Sequence, residues 1–177
     1  MEPVIPIVIR TGGQTGVDQA TLDFALRHGL SYGGWCPRGG WAADSPTPPG
    51  VLARYPKLCE TPSEVPAQRT AWNVRDSHAT LILVRGQELS QSPGTLLTRQ
   101  CAELFFLRPW LVVDLALPDA VAMAKEWLAR TVSGLGLSEL WLNVAGPREE
   151  EAQGIYGETG RFLAAMFLPL PHGTTFP

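Results

Sequence analysis

Short apolar runs alternate with longer amphipathic stretches along almost the whole chain, and that alternation leaves few architectures open. Val4 to Thr11 (VIPIVIRT) is rich in β-branched residues and stops at Gly12-Gly13, the mark of a buried strand ending in a tight turn. Pro6 has no N–H to give to a neighbour, so the strand proper is expected to begin near Ile7. Gly16 to His28 has helical spacing. Val17, Ala20, Phe24 and Ala25 line one face, Leu22 and Leu26 a second, and Gly29 is a natural stop. Ser31 to Trp35 reads as a short second strand, Pro66 to Asp76 as a helix with proline in its first turn, and Ala79 to Val84 (ATLILV) as a strand. Ser92-Pro93 offers an N-cap followed by proline at the first helical position. The buried stripe of that helix would be Leu97, Cys101, Leu104 and Phe105. Leu111 to Asp114 is the next strand. Pro118 to Val132 is a helix with Val121, Ala124, Leu128 and Val132 inward, Leu140 to Val144 a strand, and Ile155 to Leu168 a last helix. The order β-α-β-loop-α-β-α-β-α-β-α predicts an α/β fold: one domain over residues 1–177, with a doubly wound, mainly parallel sheet carrying helices on both faces.

Residues 36–62 break the rhythm. They hold Pro37, Pro46, Pro48, Pro49, Pro56 and Pro62 with little apolar periodicity, and a long ordered loop or excursion of this kind is expected to be functional. Composition narrows the partners. A net charge of −3 leaves no general electrostatic footprint for nucleic acid or an anionic membrane. Three cysteines without C-x-x-C spacing, and three scattered histidines, form neither a disulfide framework nor a metal signature. No apolar run approaches the ~20 residues of a membrane-spanning helix. Met1 to Arg10 has no leading basic cluster, so a cytoplasmic protein is expected.

In such sheets ligands bind where the strands end, near a topological switch point. Thr11-Gly12-Gly13-Gln14-Thr15-Gly16-Val17-Asp18 follows the first strand. Its glycines allow close approach of backbone, and Gly16 opens a helix whose free N–H groups attract anions. The spacing matches neither a dinucleotide fingerprint nor a P-loop, so a plain strand-to-helix turn is the alternative. Ser92-Pro93-Gly94-Thr95 opens a second helix in the same way, and the two starts facing one crevice would suit a phosphate. The chain has only two asparagines, Asn73 and Asn143, both at expected element ends. Each could serve a ligand or cap a turn.

The segments Gly12 to Asp18, Gly34-Trp35-Cys36-Pro37-Arg38-Gly39, Arg54-Tyr55-Pro56, Glu60-Thr61, Arg69-Thr70, Asn73-Val74, Asp76-Ser77 and Asn143 to Arg148 together resemble the family named putative molybdenum carrier. That family falls in the Rossmann-like superfamily of the DNA-processing protein A domain and the Lonely Guy phosphoribohydrolases. The resemblance runs from about Ile9 to Leu168. It implies a Rossmann-like fold, assembly into homodimers or homotetramers, and binding of molybdenum cofactor or a related phosphate-bearing pterin or nucleotide.

The binding residues it points to are Gly12, Gly13, Gln14, Thr15, Gly16, Asp18, Arg38, Asn73, Asp76, Ser92, Gly94, Thr95 and Asn143, with no catalytic set and no metal ligands. Arg38 would fork onto a phosphate. Cys36 reads either as a thiol ligand or as a small buried hydrophobe. Asp18 would either complement the helix dipole or accept hydrogen bonds from ribose or pterin. Pro93 stands where the family has glycine and removes one N–H from that turn.

Two other functions compete with a carrier. A nucleotide-processing hydrolase resembling the phosphoribohydrolases would need a glutamate soon after Thr95, where this chain has Leu96, Leu97 and Thr98. Single-stranded DNA binding runs against the net charge. Self-association is expected from the two-faced helix after Gly16, from Leu30 and Trp41, and from the Phe-rich last helix.

Overall fold

Five strands, β1 (Ile7–Arg10), β2 (Ser31–Gly33), β5 (Ala79–Val84), β6 (Trp110–Asp114) and β7 (Leu140–Ala145), form one sheet of order β2-β1-β7-β5-β6, every neighbour parallel. A computed structural model describes residues 5–86 and 89–168. Val4 and part of the polar loop 85–91 therefore lie outside the described residues, and β1 starts at Ile7 as expected. All six residues of β5 are buried, as an interior strand covered on both faces requires.

Strand residues alternate between two sides. Leu140, Leu142 and Val144 join Ile9, Leu81 and Leu83 in the main core, under α1 (Val17–Arg27), α4 (Ala120–Leu135) and α5 (Ile155–Phe167). The opposite face carries α2 (Pro66–Arg75) and α3 (Pro93–Gln100), where Val74, Cys101 and Ala102 make a smaller core with Leu97 and Trp110. The doubly wound reading holds. Among the described residues, no helix is long and apolar enough to cross a membrane.

Two local expectations are corrected and a third is sharpened. The run Ser31 to Trp35 is not one strand. The chain breaks at Gly34 (φ 129), whose α carbon packs onto the backbone of Thr11, and β3 (Trp35–Cys36) instead pairs with β4 (Cys59–Glu60) in a separate two-stranded sheet. Residues 36–62 are the ordered excursion expected, but with secondary structure of their own. They contain both short strands and two 3-10 turns, and they send Ala42, Val51, Tyr55 and Leu58 into the core. Finally, Leu104 and Phe105 do not share a stripe with Cys101. A π-turn over Cys101–Phe105, closed by Phe106 N–H on Cys101 O at 2.9 Å, rotates them outward to 63% and 68% exposure. Their neighbour Leu107 reverses the chain at φ 49 and is 79% exposed.

Candidate functional site

Because the strands are parallel, the turns after β1, β5 and β7 leave the same edge of the sheet. The sharp turn from β1 into α1 puts Gly16 at φ 77. Its own side chains fill the turn. Gln14 Oε1 accepts from Thr15 N–H at 3.0 Å and from Ala43 N–H at 2.9 Å, while Gln19 Nε2 donates to Gly13 O and to Asp44 Oδ1. The Pro-rich segment is thereby fastened over the glycines, with Val51 and Leu58 against Gly13.

Asp18 is buried at 3% exposure and accepts from Gln14 N–H at 3.2 Å and from Arg69 Nη1 at 3.1 Å. Burial pushes its carboxyl above the ordinary range, while Arg69 and the Gln14 N–H pull the other way. Arg69 comes from α2 on the far face, and its guanidinium lies directly over the α carbon of Gly12, where any Cβ would overlap it. Arg69 Nε is buried with no hydrogen-bond partner among the described residues, and the buried Thr11 hydroxyl lies near the Asp18 carboxylate and helps hold its pKa down.

β7 lies between β1 and β5, so the loop after it threads between the two helix starts. Gly146 is wedged against Leu83 O and Val17, and Val17 N–H donates to Pro147 O at 3.3 Å. The next residues carry three carboxylates with separate duties. Glu149 accepts from the N–H groups of Gly154 and Tyr156 and caps α5. Glu150 accepts from Thr15 Oγ1 at 2.8 Å, at the start of α1.

Glu151 reaches the start of α3. It accepts from Ser92 Oγ at 2.7 Å, from Arg148 N–H at 2.9 Å, and from Arg148 Nε and Nη2 at 3.2 and 3.0 Å. Ser92 spends its only hydroxyl proton on Glu151, so Thr95 Oγ1, 2.7 Å away, is the donor in the Ser92–Thr95 bond. Burial alone would raise the Glu151 carboxyl. The Arg148 N–H, the Ser92 hydroxyl and the Arg148 guanidinium outweigh it and hold the group below the usual glutamate range.

The residues expected from sequence divide accordingly. Gly12, Gly13, Gln14, Thr15, Gly16 and Asp18 meet at the β1 turn, and Ser92, Gly94 and Thr95 open α3, with Glu150 and Glu151 reaching between the two. Asn73 uses its amide on Trp35, accepting from the N–H at 2.8 Å and donating to the carbonyl at 2.9 Å, and so pins β3 to α2. Asp76 follows α2 and precedes β5, at the edge where strands begin. The Arg75 guanidinium, with the Trp35 indole N–H, holds its carboxyl below the usual range. Asn143 lies inside β7, beside Arg10 and Thr80 and on the α2 side. Arg38 is 61% exposed and pairs with Glu64. Cys36 is fully buried, and burial, with Glu60 nearby, pushes its thiol up to about 11, so it carries a proton at neutral pH.

Sequence reasoning passed over Arg69, Arg148, Glu150 and Glu151. The signal for the two arginines was their place inside the segments Arg69-Thr70 and Asn143 to Arg148. Two open grooves lie elsewhere: about 550 Å³ between the end of α1 and residues 53–57, and about 330 Å³ between α1 and α5. Among the described residues, no cluster of His, Cys, Asp and Glu could hold a metal ion.

Comparison with known proteins extends the picture. The sequence model described as "Circularly permutated YpsA SLOG family" matches residues 9–167. The chain is 36% identical to the "Putative molybdenum carrier protein" of Syntrophus aciditrophicus SB, whose crystal structure superimposes with a TM-score of 0.76 over 93% of this chain and 96% of that one. No curated protein matches the sequence.

Proposed function

The chain belongs to the circularly permutated YpsA SLOG family, and from that premise we propose that it is a carrier for molybdenum cofactor or a related phosphate-bearing pterin or nucleotide. The cargo's phosphate would sit between the starts of α1 and α3. One observation carries this reading: at the switch point of the sheet both helix starts present donors to negative charge, the Thr15 hydroxyl to Glu150, and the Ser92 hydroxyl with the Arg148 fork to Glu151. The chain's residues would hold the phosphate end, and no thiol stands among them. Native mass spectrometry of protein purified from its own host, with phosphorus and molybdenum counted by elemental analysis, tests the assignment. A bound mass containing phosphorus is expected, and protein carrying no phosphorus-containing small molecule would refute it.

One observation favours a second reading, a nucleotide-processing hydrolase. Glu151 brings to Ser92 and Thr95 the carboxylate that α3 itself lacks. Release of free base from nucleoside monophosphates, lost in Glu151→Gln, would decide for it.

We also propose that the protein self-associates. Of the residues that led to that expectation, Leu26 and Trp41 are exposed, at 47% and 37%. Leu22 and Phe24 of α1 and Phe162 of α5 are buried within the chain. Among the described residues the most exposed large apolar side chains are Leu104, Phe105 and Leu107, grouped beside the edge strand β6. A second copy docked there would cover them. Light scattering at micromolar concentration should give a dimer or larger. Phe105→Asp with Leu107→Asp should give monomer whose melting temperature no longer rises with protein concentration, because both side chains face water within a single chain and only the contribution of assembly is lost. A monomeric native chain would defeat the idea.

A further inference from the structure

We propose that Glu151 stands in the place of the cargo's phosphate and must yield Ser92 and Arg148 to it when the cargo binds. The inference rests on the proposed carrier function and adds how the same site is closed and opened.

The donor set is the first reason. Four donors from two elements converge on one carboxylate: the Ser92 hydroxyl, the Arg148 N–H, and both arms of the Arg148 fork. A planar guanidinium that grips a carboxylate through two N–H groups grips a phosphate equally well, and more strongly when the phosphate carries a second charge. Ser92 and Thr95 are each 2% exposed, so both hydroxyls are already desolvated; Ser92 is aimed at the spot that the carboxylate fills, and Thr95 supports Ser92 from behind.

The second reason is what can move. Val17 N–H holds Pro147, Gly16 is packed against the backbone of residues 147–149, and Glu151 N–H returns to Arg148 O at 3.0 Å. The loop backbone is therefore fixed, and exchange needs only rotation of side chains. Arg148 is 43% exposed along its side chain and can be reached from solvent, while Glu151 at 15% lies beneath it. Glu150, exposed and bonded to Thr15, performs the same service at the start of α1.

A site whose competent form is populated only part of the time loses apparent affinity by that fraction. Removing the competing charge should return it. The probe is inorganic pyrophosphate, titrated calorimetrically at fixed ionic strength against the native chain, Glu151→Gln and Arg148→Met, with a melting curve for each. The native chain should bind weakly, Glu151→Gln about tenfold more tightly, and Arg148→Met not measurably. If Glu151→Gln does not fold, Glu151→Asp replaces it, because a carboxylate one methylene shorter cannot reach both Ser92 and Arg148. Native binding with unchanged or weaker affinity in the folded Glu151 variant would overturn this proposal and leave the carrier reading standing. Tight native binding that Arg148→Met does not weaken would also overturn it. Pyrophosphate bound by neither the native chain nor any variant would remove the carrier reading and this proposal together.

Discussion

Replacing Gly16 by alanine is expected to destabilise the fold by about 4 kcal/mol, the sum of backbone strain and overpacking. That is a large part of the roughly 5–15 kcal/mol that holds a domain together. Gly16 has φ 77 and ψ −124, a combination that side chains other than hydrogen hardly tolerate. A Cβ there would overlap Pro147 O and lie 2.7 Å from Glu149 N and 2.8 Å from Arg148 C, all backbone that cannot rotate away. Gly29 is the control. Its φ is 66, but nothing lies within 4 Å of its added Cβ, so Gly29→Ala should cost only about 1 kcal/mol. Urea unfolding of both variants separates strain from contact. Equal losses would show that the close approach of the two loops contributes nothing.

The second large effect is expected at Arg69. Arg69→Met keeps the aliphatic stem but leaves Asp18 buried without its counter-charge, a change that costs about 3–5 kcal/mol near neutral pH. The sign of its pH dependence follows from the carboxyl. Asp18 already lies above the ordinary range because burial outweighs Arg69 and the Gln14 N–H, and losing Arg69 raises it further. A raised folded-state pKa means that the ionised form is the destabilising one. The penalty should be full above the raised pKa and should shrink as pH falls through it towards the unfolded value of about 3.9. Arg69→Met combined with Asp18→Asn should recover much of the stability at neutral pH. Melting curves between pH 4.5 and 8 check both points, and a penalty that grows in acid would contradict this account of the pair.

Asp18 illustrates how far sequence reading reaches. Its position in the first helical turn allowed two roles, dipole complement or ligand acceptor. Both overlooked a partner on α2, because no local pattern announces that a helix on the opposite face will reach over Gly12. The alternation of strands and helices was legible because hydrophobic periodicity is a local property. So were the two small-residue turns as helix starts, since glycine and serine mark such starts by their own chemistry.

What was not legible depends on neighbours distant in sequence. Asn143 looked like the end of a strand, but β7 continues to Ala145 between two partners, which makes Asn143 an interior residue bonded to Thr80 of β5. Leu104 and Phe105 fitted a 3.6-residue stripe until a single π-turn shifted their phase. Glu150 and Glu151 carried no signal in the sequence, and only the insertion of β7 between β1 and β5 brings them to Thr15 and Ser92.

The central place of β7 also sets the order in which the molecule can assemble. β1 has β2 nearby in sequence, and β5 has β6, so two small parallel pairs can form early. No strand pairing joins these halves until Leu140–Ala145 enters between them, pairing Ile7 with Leu140 and Ala79 with Leu142. Loop closure over such separations slows folding, since entropy is lost before contacts repay it. On a ribosome, the nascent chain would carry two unsatisfied strand edges until β7 emerges, with the exposed Leu104 to Leu107 segment already outside. This is a chain whose yield should depend on chaperone capacity and growth temperature more than its final stability would indicate.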